Sequence, residues 1–263
     1  MNIYLMADAE GLCGIHLRDQ VSLDGKYYSE LRQMMTEEIN HCVESLKAAG
    51  AKQVMVRDAH ASGNNVIWPE LSSAADGYVM GNSAGKRMPG IEDYDAVVLL
   101  GYHAMAGTYK GILEHTMSSR HWQNCWINGV KCGETALDAA IAGEYGKPVI
   151  LVSGDDCVCA EAKAILPQVV TAEVKQALSL EGAVHLPRPT AFRLLRVQMK
   201  QAVRALKKGE IKPYEVEKPV RLRIEVVERG SVPTAIARPD INILDGRTYE
   251  VEAGSVEEAL ARL

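Results

Sequence analysis

Short apolar runs alternate with helical patterns through the first two-thirds of this 263-residue chain. Strands are predicted at residues 3–6, 54–56, 96–100 and 149–152. The first long helix is predicted over residues 28–49, and Gly50 stands where a glycine commonly ends a helix. Strands that alternate with helices are typical of βα units. The sequence therefore predicts an α/β fold with a mostly parallel central sheet and flanking helices.

The end of the chain has a different pattern. A basic helix is predicted over residues 190–208, an alternating strand over residues 220–227, and a short last helix from Ser255. We therefore predict two units, an α/β domain at residues 1–188 that carries the chemistry and a smaller α+β subdomain at residues 189–263.

A hairpin predicted within the first of these units is signalled by an Asn-Gly pair. Asn128-Gly129 lies between two short apolar runs, which predicts a type I′ turn joining two strands. Glu134 follows this hairpin and begins the next predicted helix.

The charge of the chain limits its partners. A net charge of −5 argues against a nucleic-acid partner, because neutralising phosphates requires a surplus of Lys and Arg.

The longest apolar run, residues 96–100, is far too short to span a bilayer, so no membrane partner is expected. The start of the chain does not resemble a secretion signal, so we expect a cytoplasmic protein whose six cysteines are thiols.

Acidic and imidazole side chains follow each of the predicted strands. They are Asp8 and Glu10 after the first strand, Asp58 and His60 after the second, His103 after the third, and Asp155 and Asp156 after the fourth. In parallel sheets, ligands bind beyond the carboxyl ends of the strands. Carboxylates buried together repel one another unless a cation neutralises them. A mixed set of His and carboxylate ligands favours zinc, with manganese or cobalt as alternatives and magnesium less suited.

Taken singly, each of these residues also has an ordinary structural interpretation. A histidine after a strand is more often a hydrogen-bonded boundary residue, and Glu134 could be a first-turn acid favoured by the helix dipole. His115 lies in a glycine-bearing segment that could cover a cleft, but the sequence does not indicate where it points. Cys13 and Cys132 could be soft ligands, although free cysteines are more commonly buried as small apolar residues. Only the joint placement favours a metal site.

Several short motifs in the first two-thirds of the chain carry a resemblance to a known family. They are Asp8-Ala9-Glu10-Gly11, Asp58-Ala59-His60, Leu100-Gly101-Tyr102-His103-Ala104, His115-Thr116-Met117, Ile127-Asn128 with Gly133-Glu134, and Gly154-Asp155-Asp156. Together they resemble the zinc D-aminopeptidases of peptidase family M55. The resemblance implies a metallo-aminopeptidase, that is, a hydrolase acting as a metalloprotease.

The resemblance also implies a site with two zinc ions per chain. The implied metal ligands are Asp8, Glu10, His60, His103 and Glu134. By the resemblance, Asp8 would bridge the ions, Glu10 and His60 would complete one site, and His103 and Glu134 would complete the other.

His115 is the catalytic residue that the resemblance implies, beside the metals. We expect it to act as an acid or base or to stabilise charge, because a metal-activated water makes a direct nucleophilic role unnecessary. The implied substrates are short peptides with D-amino-acid N-termini, such as D-Ala-D-Ala. The implied assembly is a homodecamer whose active sites face an internal chamber.

Two other function classes compete with this interpretation. The Asp8-x-Glu10-Gly11 pattern also resembles the Asp-x-Asp-Gly motif of haloacid-dehalogenase-like phosphatases, with magnesium as the metal and Asp155 and Asp156 in the later acidic motif. That interpretation leaves the histidines without a role. A non-enzymatic nucleotide-binding module is disfavoured, because neither of the common glycine-rich phosphate-binding motifs occurs.

Overall fold

A computed structural model of the chain describes residues 1–234 and 237–263. The first half of the chain forms β1 (Asn2–Ala7), α1 (Arg18–Val21), α2 (Tyr28–Ala48), β2 (Gln53–Asp58), β3 (Gly77–Val79), β4 (Ala96–Leu100), β5 (Trp122–Ile127) and β6 (Val130–Lys131). The second half forms α3 (Glu134–Glu144), β7 (Val149–Asp155), α4 (Asp156–Ile165), β8 (Val170–Ser179), β9 (Gly182–His185), α5 (Arg188–Lys207), β10 (Val220–Val226), β11 (Ile241–Ile243), β12 (Thr248–Ala253) and α6 (Val256–Ala261).

A seven-stranded sheet forms the centre of the molecule, in the order β3-β2-β1-β4-β7-β8-β9. All neighbouring strands run parallel except β8 and β9. The inner strands β4 and β7 are buried at every residue, as expected when both faces of a parallel sheet are covered. The predicted α/β fold with a mostly parallel sheet is therefore confirmed.

Alternate residues of β1 face two different cores. Ile3 and Leu5 pack with α2 and α5 on one face, whereas Tyr4 and Met6 pack toward α3 and the second sheet on the other. The helix α2 ends close to its predicted position, and Gly50 adopts φ +100° there. None of the helices in the described part of the chain combines the length and the apolar character that a bilayer span requires.

A second, five-stranded sheet has the order β11-β12-β10-β5-β6, and its neighbouring strands are antiparallel. The predicted hairpin is present as β5 and β6, and Asn128 and Gly129 have φ of 50° and 85°, as a type I′ turn requires. This sheet contains β5 and β6, which lie within residues 1–188. The helix α5 begins at Arg188 and packs on α2 of the predicted first unit. The division into residues 1–188 and 189–263 stays a prediction.

The edge of the central sheet contains strands that sequence analysis does not predict. The longest is β8, whose ten residues include Glu173 and Lys175 among apolar positions. Charges inside a strand interrupt the apolar run that identifies it in sequence. Only its pairing with β7 and β9 establishes it as part of the sheet.

Candidate metal centre

The carboxyl ends of β1, β2 and β4 lie side by side and carry four of the predicted ligands. Ala7 is the Cα partner of both Asp58 and Leu100, so the residues that follow these three strands emerge together. The loops after β1 and β4 approach closely, because the N–H of Gly11 donates to the carbonyl of Gly101 at 2.8 Å. A Cβ on Gly11 would lie 2.0 Å from the carbonyl oxygen of Tyr102, which explains the glycine.

Glu134 and His115 reach the same place from other elements. Glu134 is the first residue of α3 and is 7% exposed. Its Oε1 accepts a hydrogen bond from the N–H of Met117 at 2.8 Å, which ties α3 to the segment that carries His115. The N–H of His115 donates to the carbonyl of Ala104, one residue beyond His103. All six predicted site residues therefore meet in one cluster.

His60 faces two carboxylates on one side of this cluster. Its Nδ1 lies 3.1 Å from Oδ1 of Asp8 and 3.3 Å from Oε2 of Glu10. The opposite ring nitrogen, Nε2, donates to the carbonyl of Val21 at 2.9 Å. We call the set Asp8, Glu10 and His60 the His60 side.

His103 occupies the other side. Its Nε2 lies 3.4 Å from Oδ2 of Asp8 and 3.4 Å from Oε1 of Glu134, and its Nδ1 faces the carbonyl of Ala104 at 3.1 Å. His115 stacks on His103, with ring centroids 4.0 Å apart and planes at 12°. Its Nδ1 donates to the carbonyl of Leu113 at 2.9 Å, and its Nε2 lies 3.7 Å from Oε1 of Glu134. We call Asp8, His103 and Glu134, with His115, the His103 side.

In each of the three imidazoles one ring nitrogen faces a carbonyl oxygen and the other faces carboxylate oxygens. This arrangement fits a bound cation. A carbonyl oxygen can only accept, so in each ring the nitrogen that faces a carbonyl carries the hydrogen. In a neutral ring the other nitrogen then directs a lone pair at carboxylate oxygens. Oε2 of Glu10 and Nε2 of His103 are buried and have no hydrogen-bond partner among the described residues. Atoms that can only accept are satisfied together by a cation between them.

The charges of the cluster also favour a bound cation. Burial raises the pKa of Asp8, but the adjacent imidazoles of His103 and His60 outweigh burial and hold that pKa well below its usual range. Burial also raises the pKa of Glu134, but contact with His103 outweighs burial and lowers that pKa to about 2. Asp8, Glu10 and Glu134 are therefore ionised at neutral pH, and together they attract divalent cations.

Two overlapping sets of donor atoms are compact enough to hold an ion. Asp8, Glu10 and His103 form one set, and His103, His115 and Glu134 form the other, each with its ligand atoms within 4.8 Å of one another. The sets share His103. Mixed nitrogen and oxygen donors of this kind suit zinc.

A cleft of about 650 Å³ opens over the cluster. It is lined by Asp8, Glu10, His60, His115 and Glu134 and by the basic residues Arg18, Arg87 and Arg120. This volume lies within the range of pockets that bind small molecules. A short peptide therefore has room beside the cluster.

A buried network that sequence analysis missed supports Glu134. Arg87 donates from Nε and Nη2 to the two carboxylate oxygens of Asp138 at 2.9 and 2.6 Å, and its Nη2 lies 3.5 Å from Oε2 of Glu134. The hydroxyl of Tyr102 donates to Asp138 at 2.6 Å. Asp138 lies four residues after Glu134 on a mostly apolar helix, and that spacing places both acids on one face. This spacing was the available signal; Arg87 has no comparable one.

Lys175 supports the loop after β1 and was also missed. Its buried ammonium group donates to the carbonyl oxygens of Glu10, Leu12 and Ile15. Burial lowers the pKa of Lys175 to about 8. The side chain thereby fixes the backbone on which Glu10 stands.

The remaining strand-end acids do not join the cluster. Asp58 accepts from the backbone and side-chain N–H groups of Asn65 at 2.6 and 2.8 Å. Asp155 accepts from the N–H groups of Ile112 and Val158, and Asp156 from that of Ala177. The expectation that all these acids converge is wrong for these three residues, because their oxygens accept from backbone N–H groups and, in Asp58, also from the side-chain amide of Asn65. Asp155 and Asp156 therefore lack the role that the phosphatase alternative required.

The cysteines are free thiols, as expected. Sγ of Cys132 lies 3.7 Å from Sγ of Cys125, and Sγ of Cys13 lies 3.9 Å from the carbonyl oxygen of Leu186. Both Cys13 and Cys132 are buried and belong to apolar cores. Their structural interpretation fits better than a ligand role.

Comparison with known proteins agrees with this geometry. A D-aminopeptidase of Bacillus subtilis (strain 168) is 34% identical over 252 residues, which cover 94% of this chain and 89% of that protein. The structure of the Zn-dependent D-aminopeptidase DppA from Bacillus subtilis, described as a self-compartmentalizing protease, superposes with a TM-score of 0.93 at 31% identity. The superposition covers all of this chain and 95% of DppA.

These comparisons give no support for the phosphatase alternative. The family model of peptidase M55, described as D-aminopeptidase, matches residues 1–263. The resemblance seen in the short motifs thus extends over the whole chain and is confirmed. The chain belongs to the M55 family of D-aminopeptidases, and it is a metallo-aminopeptidase.

Proposed function

We propose that this chain is a zinc-dependent D-aminopeptidase that removes D-amino acids from short peptides such as D-Ala-D-Ala. The observation that carries the proposal is the shared orientation of His60, His103 and His115, each anchored to a carbonyl and turned toward carboxylates. The zinc dependence of DppA, which matches this chain over its full length, supports the choice of metal.

Two zinc ions per chain are proposed, one on each side of Asp8. Asp8 would bridge them, because its Oδ1 faces His60 and its Oδ2 faces His103. Glu10 and His60 would hold one ion, and His103 and Glu134 the other. When bound, such ions lower the pKa of a water molecule and polarise the peptide carbonyl.

His115 is proposed as the catalytic residue rather than as a ligand. It lines the cleft, and its Nε2 is the ring nitrogen left free by the bond to Leu113. That nitrogen can hold a proton for the leaving amine or donate to the oxyanion. Stacking on His103 and the contact to Glu134 keep the ring in place.

The assembly and the location are also proposals. DppA is described as self-compartmentalizing, which supports an oligomer for this chain, and we propose a homodecamer whose chamber admits short peptides. Sedimentation or light scattering of the purified protein would test that number. A cytoplasmic location stays a prediction that cell fractionation can check.

The test of the function combines metal analysis with peptide hydrolysis. We expect the purified protein to contain about two zinc ions per chain and to cleave D-Ala-D-Ala faster than L-Ala-L-Ala. Chelation should abolish the cleavage, and added zinc should restore it. Protein that carries no transition metal when purified without chelators, or that cleaves no short peptide, would overturn the proposal.

A further inference from the structure

A second cavity adjoins the cleft on the side of Arg87. It has a volume of about 160 Å³, and Ala59 and Arg87 line both spaces. Its other lining residues are Met6, Arg57, Ser83, Gly85 and Lys86. Three of the seven described lining residues are basic, and none of the seven is acidic. We call this cavity the side pocket.

The charge of Arg57 in the side pocket has no acidic partner among the residues that the structure describes. Arg57 donates from Nη1 to the carbonyl of Gly81 at 2.9 Å and from Nη2 to the hydroxyl of Ser83 at 3.3 Å, and both acceptors are uncharged. The carboxylate that follows it in sequence, Asp58, is occupied by Asn65. Arg57 thus forms no ion pair with any described residue, although it is half-buried.

Arg87 is paired but keeps one donor nitrogen free. Its Nε and Nη2 bind Asp138, which fixes the plane of the guanidinium group. Its Nη1 makes no hydrogen bond within residues 1–234 and 237–263. Burial lowers the pKa of Arg57, and the positive charge of Arg87 lowers it further. An anion between these like charges would remove the repulsion and use the free donors.

We propose that the side pocket binds the free C-terminal carboxylate of the substrate peptide, with Arg57 as its main partner and Lys86 and Arg87 beside it. This inference rests on the proposed function. A planar carboxylate matches the fork of a guanidinium group, and every unmodified peptide has one at its C-terminus.

The distance between the two sites suits a very short peptide. Arg87 contacts Glu134 in the metal cluster and also lines the side pocket, so the two sites are adjacent. An extended dipeptide spans about 7 Å, which is enough to reach from the cluster to an adjacent pocket. The acidic cluster would then receive the amino end of a zwitterionic dipeptide and the basic pocket its carboxyl end.

The experiment compares D-Ala-D-Ala with its C-terminal amide, which lacks only the negative charge. For Arg57→Gln we expect the ratio of kcat/KM for the acid to that for the amide to fall about tenfold to a hundredfold, the value of a hydrogen bond to a charged group. The change should lie mainly in KM for the acid. Arg57→Lys should recover part of the ratio, because it keeps the charge without the fork.

Two further variants make the result specific. Lys86 is exposed, so Lys86→Gln should fold normally and lower the same ratio by a smaller factor. Arg223→Gln removes an arginine that pairs with Glu250 in the second sheet, outside the cleft, and should leave the ratio at the wild-type value. Melting temperatures of all variants check that each is folded.

The possible outcomes distinguish a failure of the pocket assignment from a failure of the proposed function. If Arg57→Gln lowers kcat/KM equally for the acid and the amide, or changes neither, the pocket does not bind the carboxylate and the inference is overturned. In that case the wild-type protein still cleaves both peptides, and the proposed function stands. If the wild-type protein cleaves neither, the proposed function fails and the pocket assignment fails with it.

Discussion

The two sides of the metal cluster are built in different ways. On the His60 side, Asp8 and Glu10 follow β1, and His60 stands two residues after β2. On the His103 side, only His103 follows a strand of the central sheet, while Glu134 begins α3 and His115 comes from an irregular segment. Asp8 belongs to both sides.

Because of this difference, the ligands of the two sides are held in place by different parts of the chain. The register of two parallel neighbours places the strand ends of the His60 side, and Lys175 of β8 holds the backbone of Glu10. The His103 side also needs α3, which packs in the core shared with the second sheet, and the ion pair of Arg87 with Asp138. The His103 side should therefore respond to substitutions in the network of Arg87 and Asp138, and the His60 side should not.

The largest effect is expected where the two sides meet. Asp8→Ala removes both oxygens that face the histidines, so both zinc ions should be lost and D-Ala-D-Ala hydrolysis should fall by roughly a thousandfold or more. Elemental analysis and initial rates measure this. Asp24→Ala is the matched control, because Asp24 is an exposed carboxylate that lines the cleft without touching the cluster. Retention of both ions in Asp8→Ala would contradict a bridging role.

The next largest effect is expected at His115. His115→Ala should keep both ions and the wild-type melting temperature while kcat falls by about a hundredfold or more, as for loss of a positioned acid or oxyanion donor. Metal content and steady-state kinetics on D-Ala-D-Ala are the measurements. Loss of one ion would instead make His115 a ligand of the His103 side, and unchanged kcat would remove it from the mechanism.

A paired substitution tests whether the two sides bind separately. Glu10→Gln and Glu134→Gln each keep the shape of the side chain but remove one charge from one side. Each variant should retain about one zinc ion per chain after dialysis, because a lost charged ligand weakens only its own site. If either variant loses both ions, the sides form a single cooperative site and the comparison breaks down.

Asp138→Asn probes the distant support of the His103 side. It removes the carboxylate that pairs most closely with the partly buried guanidinium of Arg87, and Glu134 should shift toward that guanidinium. Zinc affinity on the His103 side should fall about tenfold to a hundredfold, as is common when a group that orients a ligand is changed. Competition with a chelator measures the affinity of each ion. An equal loss on the His60 side would show that the support is shared.

The smallest effect concerns protons. Burial would lower the pKa of His60 and of His103, but the facing carboxylates raise both pKa values well above the usual range in the metal-free protein. Zinc must displace these protons, so binding should release protons, and affinity should increase with pH. Calorimetry in buffers of different ionisation enthalpy counts them. Binding without proton release would contradict the raised pKa values.

The same shifts set the stability of the metal-free protein. The raised pKa values of His60 and His103 add stability that is complete below about pH 6.5 and is lost as the pH rises through the raised values. The lowered pKa values of Asp8 and Glu10 add stability that is complete above about pH 4 and is lost as the pH falls through the lowered values. Chelated protein should therefore melt highest between these limits, as thermal denaturation against pH can check.

The amino-acid sequence by itself determined the parts of this protein that depend on local pattern. Short apolar runs identified β1, β2, β4 and β7, and polar residues just past three of these strands supply four of the six residues of the cluster. The Asn-Gly turn of the second sheet followed from local backbone preferences in the same way. Strand ends are predictable because parallel strands align their carboxyl ends whatever the rest of the chain does.

Only the tertiary structure decided which of the candidate acids stand in the cluster and what surrounds it. Asp155 ends β7 and Asp156 follows it, much as Asp8 follows β1, but their oxygens bind backbone N–H groups brought in by other segments. Arg57 and Arg87 come together through the pairing of β2 with β1 and the course of an irregular loop, and no periodicity marks either residue. Contacts between residues far apart in sequence depend on how whole elements pack, and a local pattern carries no record of that packing.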